Sequence, residues 1–428
     1  MFKTILRTVF TKGTGSILNF LIVIITARCM GAEGRGEISL VVLNITVILL
    51  LNDILGGGAL VFLVPRYQLY SLLLPSWIWG LICGLVFPLG FYLFGSITQQ
   101  EYLTMTLLSI FLNLSSINSA ALNGKELIRE NNIVSLAQVI SLVILLVALM
   151  LGTGKQTPET FYMALLLSYV FSFLLSLYYL RGAIVIGPVL RFKRLFSQMT
   201  RSGFHLQLGN AVQLLNYRLS FYLINHFFPA GGKSMLGVYS TATSICESVW
   251  VISNGISMVQ YARISNMSSR KEAQELTVSL SKISFLATLG VVAVMLCLPS
   301  SVFRFLFGAG FIEIPCIILY LSAGICAFGL ASMYSHYFAG IGKMHISTQG
   351  SLVGFAVTGC LGFILVPRFG IGGAAITACC SYLASALFLL LKFRKESGDN
   401  FRHLIFGFQG IFSSIKTLGT DVRNKRDH

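Results

Sequence analysis

The chain reads "GTGSILNFLIVIITARCM" over residues 13–30, "GAEGRGE" over 31–37 and "ISLVVLNITVILLLNDILGGGALVFL" over 38–63. Two long apolar runs flank a short polar turn. An α-helix rises ~1.5 Å per residue and a bilayer's hydrocarbon core is ~30 Å thick, so about 20 apolar residues make one crossing. The runs are continuous rather than alternating. That selects helices over barrel strands, because a helix satisfies its own backbone amides within lipid.

The same reading extends along the chain. Ten further runs cover residues 70–94, 102–122, 133–151, 161–180, 204–228, 236–261, 283–307, 316–339, 347–366 and 374–391. Hydrophobic residues make up 55% of the 428 and charged residues only 11%, more apolar surface than a soluble fold can hide. The expected fold class is an all-α polytopic membrane protein. About twelve transmembrane helices would form two six-helix lobes around a central cavity. The expected organisation is an interfacial helix (1–12), an N-terminal lobe (13–180), a cytoplasmic linker (181–203), a C-terminal lobe (204–391) and a basic tail (392–428).

Charge sets the orientation. With a cytoplasmic N-terminus, most of the 31 Lys and Arg fall on the inner side. Only Arg35, Lys155, Lys233, Arg304 and Arg368 fall on the outer side or its margins. The positive-inside rule selects this topology, with both termini cytoplasmic. The formal charge of +16 then faces anionic lipid and implies no nucleic acid. Nothing reads as a cleaved signal peptide. The nine cysteines lie in or beside apolar runs without metal-ligand spacing, so no metal or cofactor is expected. Enzyme signatures are missing and no soluble segment is large enough for a site, so no enzymatic activity is expected.

The halves look related. Gly36-Glu37-Ile38-Ser39 aligns with Gly237-Val238-Tyr239-Ser240 at an offset of 201, and Gly124-Lys125 matches Gly342-Lys343. Six spans per half would give parallel repeats, an arrangement familiar in transporters.

Polar residues within the spans mark the candidate site. Charge at the bilayer centre costs about 2.5–3.5 kcal/mol on insertion scales, so such groups face protein or water. Arg28, Asp53, Arg218 and Glu247 are the charged candidates. Around the seventh span, Leu208, Ala211, Val212, Leu215, Leu219 and Leu223 form one face. Asn210, Gln213, Asn216, Tyr217 and Ser220 oppose them, with Gln207 at the edge. Asn254 lies on a polar stripe of the eighth span. Arg28 and Arg218 suit an anionic group, since guanidinium makes bidentate contacts. Arg218 and Glu247 also suit a structural ion pair, and both readings stand. Asp53 and Glu247 are candidates for proton or sodium coupling. Asp53 precedes Gly56-Gly57-Gly58, either a close helix contact or a hinge. His205, His226 and His336 read as packing residues. The N-terminal residues and Phe401–Ile415 share amphipathic spacing that suits the membrane surface.

Four stretches carry a family resemblance: "GAEGRGEISL" (31–40), "LNYRLSFYLI" (215–224), "GVYSTATSICESVW" (237–250) and "VPRFGIGGAAIT" (366–377). Together they resemble the polysaccharide transporter family of the multidrug/oligosaccharidyl-lipid/polysaccharide (MOP) exporter superfamily. The resemblance implies a flippase of the bacterial cytoplasmic membrane. Its substrate would be an undecaprenyl-pyrophosphate-linked oligosaccharide for O-antigen or capsule, passed outward by alternating access. Glycosyltransferases and a polymerase of the same pathway would work alongside. Substrate contacts would fall to Arg28, Arg218, Asn210, Gln213, Asn216, Tyr217 and Asn254. Many members carry Asp directly after "NYRL", where this chain has Ser220, so no coupling role carries over to that position. A multidrug exporter of the same superfamily, a lipid II flippase (those usually have extra spans) and a membrane-bound glycan polymerase or ligase are the competing readings.

Overall fold

The structure is a computed structural model that describes residues 2–94, 97–185, 187, 192–267 and 269–398; the side chains of 2–10, 192–194, 205, 206 and 262 lie outside the description. The helices are α1 (Phe2–Gly56), α2 (Gly58–Leu63), α3 (Leu69–Leu93), α4 (Gln99–Gly124), α5 (Ile128–Thr153), α6 (Pro158–Leu180), α7 (Phe192–Phe227), α8 (Gly232–Ser248), α9 (Trp250–Ile264), α10 (Arg270–Cys297), α11 (Ser300–Phe307), α12 (Ile314–Gly340) and α13 (Met344–Ser397). No strand occurs among the described residues.

Helices α1 and α13 each hold two spans joined at a glycine: Gly31 at φ 70° and Gly370 at φ 55°. A side chain there would meet the left-handed penalty, which glycine escapes. Among the described residues nine helices are long and apolar enough to cross a membrane; two of them are these hairpins, which brings the spans to eleven of the twelve expected. The remaining one, α7, is helical over 36 residues and is the polar helix singled out from the sequence. Large apolar side chains stay exposed in stripes, such as Ile140, Ile144, Val147 and Leu151 on α5. Exposed apolar area of that kind belongs against lipid.

Several boundaries differ from expectation. The ninth span was expected over 283–307. Instead α10 starts at Arg270, where Ser269 Oγ accepts the Glu272 amide at 3.3 Å, and stops at Cys297 before Pro299, whose missing N–H breaks the helix. Residues 300–307 form the separate helix α11. The second span is interrupted at Gly57, so α2 is a short continuation. The segment expected as an interfacial helix (1–12) is continuous with the first span from Phe2. The amphipathic segment at 401–415 lies outside the described residues. Gly342 adopts φ 81°, whereas in the first half Glu126, not Gly124, takes the positive φ, so the Gly-Lys match is not a structural equivalence.

The chain forms two compact units. The first comprises Met1–Ala211 with Lys233–Gly237 and Leu306–Gly310; the second comprises Val212–Gly232, Val238–Phe305 and Phe311–His428. In the first, Ile38, Ile45, Ile48, Leu108, Leu146 and Phe161 form a core of α1, α4, α5 and α6. Polar pairs tie its helices: Ser115 to Ser172 at 2.7 Å, Asn118 Nδ2 to Ser176 at 3.0 Å and Trp77 Nε1 to Asn118 Oδ1 at 3.0 Å. Without water to compete, such bonds hold helices together in lipid.

One crossing in this unit bears on the repeat. A methyl on Gly36 would strike the Lys233 carbonyl and come within 3.0 Å of the Gly237 amide nitrogen. A methyl on Gly237 would strike the Ala32 carbonyl and come within 3.0 Å of the Gly36 amide nitrogen. Residues 32 and 36 plus 201 are 233 and 237, so the contact is reciprocal between equivalent positions. Such self-complementarity marks an isologous contact. Beside it, Glu37 Oε2 meets Lys233 Nζ at 3.4 Å and Glu37 Oε1 accepts the Tyr162 hydroxyl at 3.3 Å.

In the second unit, Tyr334, Tyr337, Phe338 and Phe393 pack α12 against α13. A hydroxyl seam of Ser253, Ser284 and Thr288 lies against Gly329. Gln260 Nε2 donates to Thr277 and the Met333 carbonyl.

Candidate functional site

In the second unit, α7 and α8 bring Arg218 and Glu247 together. The guanidinium donates through both terminal nitrogens, Nη1 to Oε1 and Nη2 to Oε2, each at 2.7 Å. Such a fork-to-fork pair is the strong form of the ion pair. Within a membrane it cancels two charges that would each be costly alone. The Arg218 side chain is 25% exposed and that of Glu247 18%. The guanidinium also sits 5.0 Å from the Phe221 ring centre.

Arginine carries five N–H donors, and Glu247 takes two. Among the described residues the other three have no protein acceptor. Glu247 occupies the end of the guanidinium, so Nε–H and one Nη–H on its side edge still form a second fork. That edge can grip a carboxylate, a phosphate oxygen pair or sugar hydroxyls.

Aromatic rings hold this arrangement. Tyr217 contacts Trp250, Phe328 and Tyr382 at 5.6, 5.8 and 5.8 Å between centres, and Trp250 stacks on Phe328 at 3.9 Å. The Tyr217 hydroxyl accepts Gln213 Nε2 at 2.8 Å. Gln213 and Asn254 are exposed.

Asn216 is corrected. Expected on the ligand side, it is 4% exposed, and its Oδ1 accepts Thr358 Oγ1 at 2.8 Å and Ser381 Oγ at 2.5 Å. It fastens α7 to both halves of α13. Its amide oxygen is answered there by two hydroxyls, and turning it to a ligand would give up both bonds.

In the first unit, Asp53 stands one turn before the break at Gly57. Its Oδ1 accepts Asn52 Nδ2 at 3.0 Å and Ser116 Oγ at 3.2 Å. Its backbone carbonyl accepts Gln207 Nε2 at 3.3 Å, and Gln207 Oε1 accepts Asn210 Nδ2 at 2.9 Å. Asn210 is thus linked to Asp53, not to Arg218. No ion pair to Asp53 occurs among the described residues. Arg28 is exposed on α1 of this unit, three residues before the Gly31 turn. His336 Nδ1 lies 2.8 Å from the Ser332 carbonyl, a packing role; the His205 side chain lies outside the description.

Sequence reasoning missed Asn52, Asn113 and Ser116 around Asp53, and Trp250, Phe328 and Tyr382 around Arg218. The signal for Asn113 and Ser116 is the polar run Asn113, Ser115, Ser116, Asn118 inside an otherwise apolar span; that for Asn52 is its place beside Asp53. The aromatic residues carry no signal that separates them from ordinary packing.

No family model and no curated protein matches the chain. Solved structures do. A lipid II flippase in an inward closed conformation superimposes with TM-score 0.71 at 15% identity, covering 97% of this chain and 99% of that one. An inward-facing multidrug resistance transporter of the MOP superfamily gives 0.67 at 16%, covering 92% and 94%. A MOP-superfamily transporter from Pyrococcus furiosus, reported to have a binding pocket of reversed polarity, gives 0.65 at 16%, covering 94% and 96%. At these identities the likeness establishes the fold. The chain is a two-unit, multi-pass helical membrane protein with the fold shared by these flippases and transporters.

Proposed function

We propose that the chain is a MOP-superfamily flippase that moves an undecaprenyl-pyrophosphate-linked oligosaccharide outward across the bacterial cytoplasmic membrane by alternating access. It is not an enzyme in this reading, and both termini are cytoplasmic. The carrying observation is the half-committed Arg218. A membrane helix holds a guanidinium in place through one carboxylate and leaves a second donor fork open. An isoprenoid tail stays in lipid, so the protein needs to shelter only pyrophosphate and sugars. Arg218, Gln213, Tyr217 and Asn254 supply donors and acceptors of the right kind; Arg28 and Asn210 offer others in the first unit. Asp53 is better placed than Glu247 for proton or sodium coupling, because Glu247 is already spent on Arg218.

A second reading, a lipid II flippase, has its own support. The aligned flippase is covered over 99% of its length, so extra spans, expected to set such proteins apart, do not distinguish it. One experiment separates the two. In a deletion strain, complete repeat units of a surface glycan trapped on the cytoplasmic leaflet support the first reading. Trapped lipid II with normal surface glycan supports the second. Neither intermediate accumulating, with raised drug sensitivity, refutes both in favour of small-molecule export.

A further inference from the structure

The first helix hairpin ends its second leg in a manner that transport does not by itself require. Helix α1 stops at Gly56 and restarts as α2 at Gly58. Asp53 O accepts the Gly57 amide, and Leu60 and Val61 return to Gly57 O. The Leu55 carbonyl accepts Ser76 Oγ at 3.2 Å, and the Ile54 carbonyl abuts the Gly203 backbone. A helix C-terminus carries partial negative charge, and this one lies within a membrane span beside a carboxylate.

The surrounding amides are oriented to match. Asn52 and Asn113 are each 0% exposed. Asn52 Nδ2 is committed to Asp53, and Asn113 Nδ2 to the Gly80 carbonyl at 3.0 Å. These donors fix which way each amide faces. The two Oδ1 atoms are left buried with no hydrogen-bond partner. Both residues border the notch at Gly80, where a methyl would lie 2.9 Å from Ile117 Cδ1, 3.0 Å from Asn52 Oδ1 and 3.5 Å from Asn113 Cβ. Ser116 lies one turn beyond Asn113 and already touches Asp53. The arrangement therefore holds one carboxylate, two unpaired amide oxygens and a hydroxyl, all hard oxygen donors.

From this geometry we infer that the break in the second span is a binding site for a monovalent metal cation, sodium by size and hardness, held by Asp53, Asn52, Asn113 and Ser116 from α1 and α4. One carboxylate neutralises one positive charge; a divalent ion would leave a net charge in lipid. Interrupted helices whose carbonyl ends meet an ion are a recurrent device in transporters. The site deepens the coupling role offered above for Asp53 and rests on it for the use of the ion, not for its binding.

The test uses the purified full-length protein in detergent, titrated with sodium, potassium or choline chloride at constant ionic strength. The expected result is a saturable rise in thermal midpoint with sodium only, and saturable binding of radioactive sodium. Asp53→Asn and Asn113→Leu abolish both. Ser116→Ala, which removes one neutral ligand, keeps the fold and weakens binding by about tenfold, the scale for losing one supporting contact at a metal site. An identical response in choline, a response to pH alone, or sodium binding unchanged in Asp53→Asn and Ser116→Ala overturns the site. Flipping by a protein that binds no sodium removes the site and spares the function; sodium binding without glycan or lipid II flipping does the reverse.

Discussion

The crossing at Gly36 and Gly237 allows a quantitative prediction. In Gly36→Ala the new methyl lands on the Lys233 carbonyl, with the carbonyl carbon at 2.7 Å and the Gly237 nitrogen at 3.0 Å. These are backbone atoms, so no side chain can rotate away and the helices must part. Overpacking costs about 1–3 kcal/mol, and a backbone obstacle places this site near the top of that range. Alanine in a helix interior returns about 0.5–1 kcal/mol relative to glycine. The net expectation is a loss of about 2 kcal/mol for Gly36→Ala and the same for Gly237→Ala. Because the contact is reciprocal, helices parted by the first methyl already accommodate much of the second. The double variant should therefore fall short of the additive 4 kcal/mol by about 1 kcal/mol or more, a coupling ordinary for residues in contact. Gly90→Ala, whose methyl would meet nothing within 4 Å, is the control and should be neutral or slightly stabilising. Unfolding free energies in mixed detergent micelles read all four proteins. Neutral single variants, or strict additivity, refute the reciprocal crossing.

Arg218→Ala should destabilise by about 3–5 kcal/mol, the cost of leaving a buried charge alone, while Arg218→Ala with Glu247→Ala should regain most of that stability and still fail to export; thermal unfolding and surface glycan at matched expression check the two halves of the statement. Glu247→Gln removes one negative charge and keeps an amide oxygen for the guanidinium. It should raise affinity for pyrophosphate-bearing lipid severalfold if that group meets Arg218, and leave it unchanged if neutral sugar does, as read by binding of the lipid-linked substrate to purified protein. Asn216→Leu removes the amide oxygen shared by Thr358 and Ser381; Ser381 Oγ keeps the Gly354 carbonyl at 3.0 Å, so the expected loss is about 1–3 kcal/mol, for the Thr358 hydroxyl alone, with transport per folded molecule retained. Thr98→Ala breaks the capping box at the start of α4, where Thr98 and Glu101 exchange bonds; a loss of about 1 kcal/mol is expected, seen as a lower unfolding midpoint.

Much of the fold was legible because membrane spans announce themselves by length and composition. The hairpin turns were legible as the short breaks between runs, at 31–37 and 367–373, though not the glycines, Gly31 and Gly370, on which they pivot. The ninth span was misjudged because an apolar window ignores Pro299 and reads α10 and α11 as one run. Its early start at Arg270 was hidden for the opposite reason: Lys271, Glu272 and Glu275 sit on helical turns that a hydropathy window excludes. At the site, Arg218 and Glu247 were found because charge in an apolar run is conspicuous. Asn216 was misplaced because the polar side of α7 is wider than its ligand-facing part. Helical spacing gives a face; it does not say which polar residues on that face are already answered by Thr358 and Ser381. Asn52 and Asn113 went unread for the same reason in reverse, since an unsatisfied oxygen is a property of the neighbours that packing supplies, here Gly80 on another helix.

The Arg218–Glu247 pair also constrains which part of a lipid-linked substrate belongs beside it. A phosphate oxygen about 5 Å from Glu247 meets repulsion of roughly 3 kcal/mol per charge at an effective dielectric of 20, while one fork of charge-assisted bonds to Arg218 offers about 1.5–3 kcal/mol for each hydrogen bond. The two nearly cancel for a doubly charged group. They do not cancel for sugar hydroxyls or amide oxygens, which take the donors without meeting the full repulsion. The free fork of Arg218 is thus better matched to the sugar portion than to pyrophosphate as long as Glu247 is ionised. Neutralising Glu247 would reverse the preference without moving an atom, so the carboxylate that holds Arg218 in place also decides what Arg218 recognises.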